Sequence, residues 1–177
     1  MTGSGNWGWG RLLGVHDPVT PFNAYNPAMA SAPCPVCGRF ANRPVTADAA
    51  VVHAGRVLLV QRKHDPFRGA YALPGGFVDP NESPEECALR ELREECGLTG
   101  TIEHLVGVYA AADRDPQRHT ITFVYRIRPD QRPTATPGDD AAAVIWAPLE
   151  ALPPLAFDHA AILADVRAGV RLVSISG

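Results

Sequence analysis

The sequence predicts an α/β domain, with a sheet layered against helices. Short apolar segments bounded by turn residues lie both before and after the middle of the chain and read as strands. One helix, between Ser83 and Gly97, carries start and stop signals at its two ends. A second helix lies near the C-terminal end, separated from the first by further strands. The 177 residues, 46% of them hydrophobic, suit one domain with a real core, and no internal repeat is visible.

Residues 1–44 are an irregular arm rich in Gly, Pro and aromatic residues. Pro18, Pro21, Pro27, Pro33, Pro35 and Pro44 forbid long helices and ladder strands, yet Trp7, Trp9, Phe22 and Tyr25 suit packing onto the domain or a partner subunit. A homodimer is therefore a candidate assembly. The folded domain is expected over 45–177. Ala49 to Val52 and Arg56 to Arg62 read as a hairpin around His53-Ala54-Gly55, where Gly55 supplies the positive backbone angle of a tight turn. His64 to Gly76, with Asp65-Pro66, Gly69 and Pro74-Gly75-Gly76, reads as a long shaped loop.

The helix that follows has Ser83 as N-cap, Pro84 at its first position and Glu86 where a capping box needs it. Gly97 ends it as a left-handed cap. Leu89, Leu92 and Cys96 form its core face. At roughly 100° per residue, Glu94 and Glu95 fall within about 60° on either side of Glu91, so the neighbouring face is carboxylate. Ile102 to Ala110 and Thr120 to Ile127 read as strands joined by the charged loop Asp113 to Arg118. After a second loop, Pro129 to Asp140, Ala142 to Trp146 reads as a strand ending at Pro148. Asp158 is expected to cap a last helix running to about Arg167.

The net charge of −3 gives no sign of a nucleic-acid surface. No stretch reaches the ~18 uninterrupted apolar residues of a membrane span, and the N-terminus lacks a basic segment leading into an apolar run. A cytoplasmic protein with reduced thiols is expected, because its four cysteines make no disulfide framework.

Crowding carboxylates on one helix is costly unless cations neutralise them. Glu91, Glu94 and Glu95 offer oxygen ligands of the kind Mg²⁺ or Mn²⁺ prefers. Gly75 and Gly76 let the backbone approach closely and present a carbonyl. Arg90, always charged and forked, is assigned to orient the carboxylates, with Glu82 as its partner. The reaction class is metal-assisted hydrolysis of a phosphoanhydride, with water as nucleophile and one of these glutamates assisting.

The run Gly76, Glu82, Arg90-Glu91-Leu92, Glu94-Glu95, Gly97-Leu98 resembles the signature of the Nudix hydrolase superfamily. The resemblance implies an α/β/α sandwich around a mixed central sheet, with metal held by Glu91, Glu94, Glu95 and the backbone carbonyl of Gly76. It also implies a small-molecule substrate, a nucleoside diphosphate linked to another group. Tyr71 to Gly76, Arg114-Asp115-Pro116 to His119-Thr120, and Leu155 to His159 are similar to the ADP-ribose pyrophosphatase-like branch, so the similarity runs from about Ala47 to Val166. ADP-ribose cleaved to AMP and ribose 5-phosphate is the implied reaction. A nucleoside triphosphate or dinucleotide pyrophosphatase is the alternative among enzymes. A non-catalytic ADP-ribose sensor is the alternative of another class. Related sensors carry a DNA-binding helical module, for which the short stretch after the last helix leaves no room. Pro116 falls slightly beyond the family's Pro position, and Ala141-Ala142-Ala143 stands where many relatives have an acid, leaving Asp139 or Asp140 to fill that role.

Substrate contacts are expected from Phe67 and Tyr71, either of which stacks a base or simply packs, and from Arg62 and Arg118, which meet phosphates or are ordinary surface arginines. Cys34-Pro35-Val36-Cys37-Gly38 is half of a zinc knuckle. Cys87 and Cys96 point about half a turn apart and cannot complete it. His16, Asp17, His53 or a second chain could complete a Zn²⁺ site, and a simple turn at Cys37-Gly38 is the better-supported reading. His159, just inside its helix, reads as structural.

Overall fold

The computed structural model describes residues 43–130 and 141–174. The chain divides into the unit Met1–Ala41 and the unit Asn42–Gly177, and the described residues belong to the second. The order is β1 (Val45–His53), β2 (Arg56–Arg62), β3 (Tyr71–Ala72), β4 (Gly75–Phe77), α1 (Pro84–Cys96), β5 (Gly100–Tyr109), β6 (Ile121–Pro129), β7 (Ala141–Pro148), α2 (His159–Ala168) and β8 (Val173–Ser174). The sheet runs β3-β2-β1-β6-β5-β8, with β4 also pairing β1 and β7 also pairing β2. It is mixed: β1 runs parallel to β6, and the other pairings are antiparallel.

Side-chain alternation divides the core between two faces. Ala47, Ala49 and Val51 of β1, Leu58 and Val60 of β2, and Tyr125 and Ile127 of β6 pack with Ala88, Leu92 and Cys96 of α1. The intervening residues Ala50, Leu59 and Val124 pack with Ile162 and Leu163 of α2. Strands covered on both faces need apolar residues at consecutive positions, which explains Val57-Leu58-Leu59-Val60. This is the α/β/α sandwich that the resemblance implied. No helix among the described residues is long and apolar enough to cross a membrane.

Local signals read from the sequence hold where they are strong. Ala54 (φ 47°) and Gly55 (φ 73°) form the β1–β2 turn, both in the left-handed region that a two-residue hairpin of this twist requires. The Ser83 hydroxyl accepts from the Glu86 amide at 3.2 Å and the Glu86 carboxylate accepts from the Ser83 amide at 2.8 Å, completing the capping box. Gly97 closes α1 at φ 66°. Two expectations change. The stretch His64 to Gly76 is not all loop, since it holds β3 and β4, which are too short for any periodic pattern to mark. Asp158 sits at the N-cap of α2 but makes no capping hydrogen bond; its carboxylate is held elsewhere.

Candidate active site around the Gly75–Gly76 turn

β4 lies against β1 in the register Thr46↔Phe77, Ala47↔Gly76 and Asp48↔Gly75, which brings the start of the acidic motif onto a central strand. Both glycines face a neighbour at close range. A Cβ on Gly75 would overlap the Asp48 carboxylate and come within 2.7 Å of the Ala47 carbonyl oxygen, and one on Gly76 would overlap the Glu91 carboxylate. The Gly75 amide donates to Glu95 Oε2 at 3.1 Å.

Arg90 gathers the remaining acids. Its Nε and Nη2 form a fork on Glu82, at 2.8 and 3.0 Å, the bidentate geometry that guanidinium and carboxylate share. Nη1 donates to Glu91 Oε1 at 2.7 Å and to Glu94 Oε2 at 3.1 Å, while Nη2 also reaches the Phe77 carbonyl at 3.1 Å. The hydrogen bond from Arg90, then the backbone of Asp79, hold the Glu82 carboxyl down at about 2. Burial pushes the Glu91 carboxyl above its ordinary value, opposed by Arg90.

Glu91, Glu94 and Glu95 therefore share a face but not a point. Among the described residues no three His, Cys, Asp or Glu side chains converge into a metal-sized cluster. Two of the three carboxylates are drawn to one nitrogen of Arg90 and the third to the Gly75 amide. The donor set nevertheless suits a hard divalent cation: all its atoms are oxygens, all stand on rotatable glutamate ends around a backbone cleared of side chains, and Glu94 is half exposed.

Beside the turn opens a cleft of about 270 Å³ whose lining includes Thr46, Asp48, Arg62, Gly75, Gly76, Phe77, Arg114, Arg118, Thr122, Phe157 and His159. Four of these, Asp48, Arg114, Thr122 and His159, are buried polar groups outside the acidic motif. Arg114, 9% exposed, forks onto Asp158 through Nε and Nη2 at 2.8 and 2.7 Å, and its Nη1 donates to Thr120 and Thr122. Thr122 in turn meets the Thr46 hydroxyl at 2.7 Å. His159 Nδ1 accepts the Leu73 amide at 2.9 Å, so the ring is neutral with its proton on Nε2. Burial drives its pKa down to about 4. Burial likewise raises the Asp48 carboxyl to about 8, against the pull of Arg114. The 3.6 Å approach between His159 Nε2 and Asp48 Oδ2 is thus a contact of neutral partners near pH 7, longer than a hydrogen bond.

The other residues singled out from sequence have different fates. Arg62 and Arg118 both line the cleft, each over a phenylalanine: Arg62 lies 4.7 Å from the Phe157 ring centre and Arg118 5.2 Å from that of Phe77. Phe67 is largely exposed and meets Phe157 edge-on at 4.9 Å. Tyr71 does not line the cleft; it packs, partly buried, against the core on the α2 side, because β3 alternation directs it there. Asp140, Asp139, Cys34 and Cys37 lie outside the described residues. Sequence reading passed over Asp48, Arg114 and Asp158 as site residues. Asp48 did leave a signal, as the one carboxyl in the otherwise apolar run Ala47 to Val52. Arg114 stood in a loop of family resemblance, but nothing there showed its role, since its partner Asp158 is remote in the chain.

The NUDIX domain model matches residues 42–166. The ADP-ribose pyrophosphatase of Methanocaldococcus jannaschii is 42% identical over 121 residues, covering 68% of this chain and 71% of that protein. A MutT NUDIX hydrolase from Burkholderia pseudomallei superposes with a TM-score of 0.63 at 33% identity, over 71% of this chain and 99% of that one. The NUDIX domain of Shewanella oneidensis NrtR, solved in complex with ADP-ribose, gives a TM-score of 0.64 at 30% identity over 73% and 90% of the two chains. The matched region takes in the acidic helix, the Gly75–Gly76 turn and the cleft between them and α2, and this chain belongs to the NUDIX domain family.

Proposed function

We propose that this chain is a divalent-cation-dependent pyrophosphohydrolase that cleaves ADP-ribose to AMP and ribose 5-phosphate. The observation that carries the reading is the juxtaposition of oxygen ligands around Gly75–Gly76 with a cleft bearing two arginines, Arg62 and Arg118, that have no carboxylate within ion-pair distance among the described residues. The similarity to an ADP-ribose pyrophosphatase supports the choice of substrate.

Glu91, Glu94, Glu95 and the Gly76 carbonyl would hold the cation, Mg²⁺ or Mn²⁺. When bound, it neutralises diphosphate oxygens and lowers the pKa of a coordinated water. Arg62 and Arg118 take phosphate oxygens, and their supporting rings keep the guanidinium planes oriented. Arg90 holds Glu82 and orients the acidic face. A glutamate of that face accepts the proton of the attacking water as its oxygen bonds to phosphorus. The bridging oxygen departs with the electron pair of the broken P–O bond.

Incubating the protein with Mg²⁺ and ADP-ribose should yield AMP by chromatography, and Glu94→Gln should lose most of that activity while its melting temperature stays within a few degrees of the parent. Wild-type turnover by Glu94→Gln would remove the metal assignment. ADP-ribose that raises the melting temperature without being consumed would establish the sensor reading, which the likeness to the NrtR domain favours over other binding roles. Consumption of nucleoside triphosphates or dinucleotides in preference would establish the other enzymatic reading. We also place the protein in the cytoplasm, in keeping with the free buried thiols Cys87 and Cys96, and expect light scattering of the full chain to report a homodimer.

A further inference from the structure

The corner that leads into α2 breaks three local rules in succession. Phe157 holds φ 52°, a left-handed backbone that a bulky residue rarely adopts. Asp158 occupies an N-cap without a side-chain capping bond, and the His159 and Ala161 amides turn instead to the Ala156 and Asp158 carbonyls. His159 is a buried imidazole at the cleft wall. Departures clustered in this way mark a segment whose side chains are committed to something other than local stability.

The partners show what that is. β3 pairs with β2, whereas β4 pairs with β1, so the chain changes neighbours at Leu73-Pro74. There the Leu73 amide has left one ladder before the next begins. Pro74 has no amide, and its carbonyl accepts from Ala49 at 2.8 Å. The Gly75 amide is held by Glu95. His159 supplies the acceptor for Leu73, at 2.9 Å. One residue earlier, Asp158 grips Arg114 and with it the loop that carries Arg118. The corner is itself tied to the sheet edge, since Tyr71 donates to Pro154 and the Ala156 amide donates to Tyr71, at 2.9 and 2.8 Å.

We propose that the Phe157–His159 corner is the positioning device of this site: His159 sets the Gly75–Gly76 turn that offers its carbonyl to the cation, and Asp158, through Arg114, sets the opposite wall that receives the substrate phosphates. Neither residue touches the reacting atoms. The inference rests on the metal and phosphate roles proposed above, and it separates two adjacent residues by the function each supports.

The test uses the full chain. Mn²⁺ affinity is measured by calorimetry without nucleotide, and kcat and KM for ADP-ribose are measured at saturating Mn²⁺. His159→Leu and His159→Gln both lack an acceptor at the Nδ1 position and should weaken Mn²⁺ binding about tenfold, with KM for ADP-ribose within threefold of the parent. His159→Asn places its Oδ1 where Nδ1 stood and should restore Mn²⁺ affinity to within a factor of two. Asp158→Asn should show the reverse pattern, KM raised about tenfold with Mn²⁺ affinity unchanged. Parental Mn²⁺ affinity in a folded His159→Leu or His159→Gln, failure of His159→Asn to rescue, or the same kinetic signature from residues 158 and 159 would overturn the proposal. If the wild-type chain binds Mn²⁺ but turns over no ADP-ribose, the substrate reading fails while the His159 series still decides its half of the clamp. If it takes up no Mn²⁺, the metal reading and the His159 role fall together.

Discussion

Gly75→Ala and Gly76→Ala add the same methyl group one residue apart, and the structure assigns them opposite consequences. Neither glycine has a positive φ, so backbone conformation is not the obstacle. At Gly75 the new carbon would meet the buried Asp48 carboxylate and the Ala47 carbonyl oxygen at 2.7 Å. Ala47 lies in β1, bonded to β4 on one side and β6 on the other, and has nowhere to retreat. Overpacking of this kind costs about 3 kcal/mol. For a domain of this size that lowers the melting temperature by roughly 10 °C. At Gly76 the obstructing atoms are only the carboxylate end of Glu91, which can rotate away. The cost to folding is its partly solvated bond to Arg90, about 1 kcal/mol, or roughly 3 °C. The cost to catalysis is larger, because Glu91 then points away from the carbonyl it should accompany. A hundredfold loss in kcat/KM corresponds to about 2.7 kcal/mol of transition-state stabilisation. Thermal melts and chromatographic assay of ADP-ribose cleavage on the two variants decide the matter. Equal melting temperatures for the two, or parental turnover by Gly76→Ala, would refute the reasoning.

Arg90→Lys keeps the charge but cannot fork onto Glu82 while also reaching Glu91 and Glu94; kcat/KM should fall about tenfold or more, read at saturating metal. Ser83→Ala removes the capping box and should cost about 1 kcal/mol in denaturant unfolding with kcat unchanged. Stability against pH, measured with chelator present, has a sign that can be worked out. His159, lowered from 6.5 to about 4, favours the fold more as pH rises through that window, because the unfolded state binds the extra proton. Asp48, raised from 3.8 to about 8, disfavours it as pH rises, because the native state must keep its proton or bury a charge. The two nearly cancel between about 4 and 6.5, and stability should then fall by about 2 kcal/mol up to pH 8. Asp48→Asn should abolish that fall and unmask a rise below 6.5; an unchanged profile in that variant would remove Asp48 from the account.

What could be read from the chain alone was what is decided within a few residues. Ser83, Pro84 and Glu86 specify how α1 begins, Gly97 how it ends, and Ala54-Gly55 how β1 turns into β2, because each acts on backbone groups within hydrogen-bond reach along the chain. The spacing of Glu91, Glu94 and Glu95 placed them on one helical face for the same reason. Even within that reach, hydrogen bonding redistributed the outcome: Arg90 and the Gly75 amide hold the three carboxylates apart. Whether Tyr71 stacks a base or packs stayed open in the sequence because a strand of two residues shows no alternation to read.

By itself, then, the sequence determined the fold class, the family and the acidic helix with its glycine turn, since helical geometry and capping are local. Only the tertiary structure decided that Asp48, Arg114 and His159 line the same cleft and that Asp158 holds Arg114 there. Leu73 and His159 are 86 positions apart, and Arg114 and Asp158 are 44. No pattern of spacing relates them. The sandwich brings them together by packing β1, β6 and α2 around one end of the sheet, and burial there sets the charge states of Asp48 and His159.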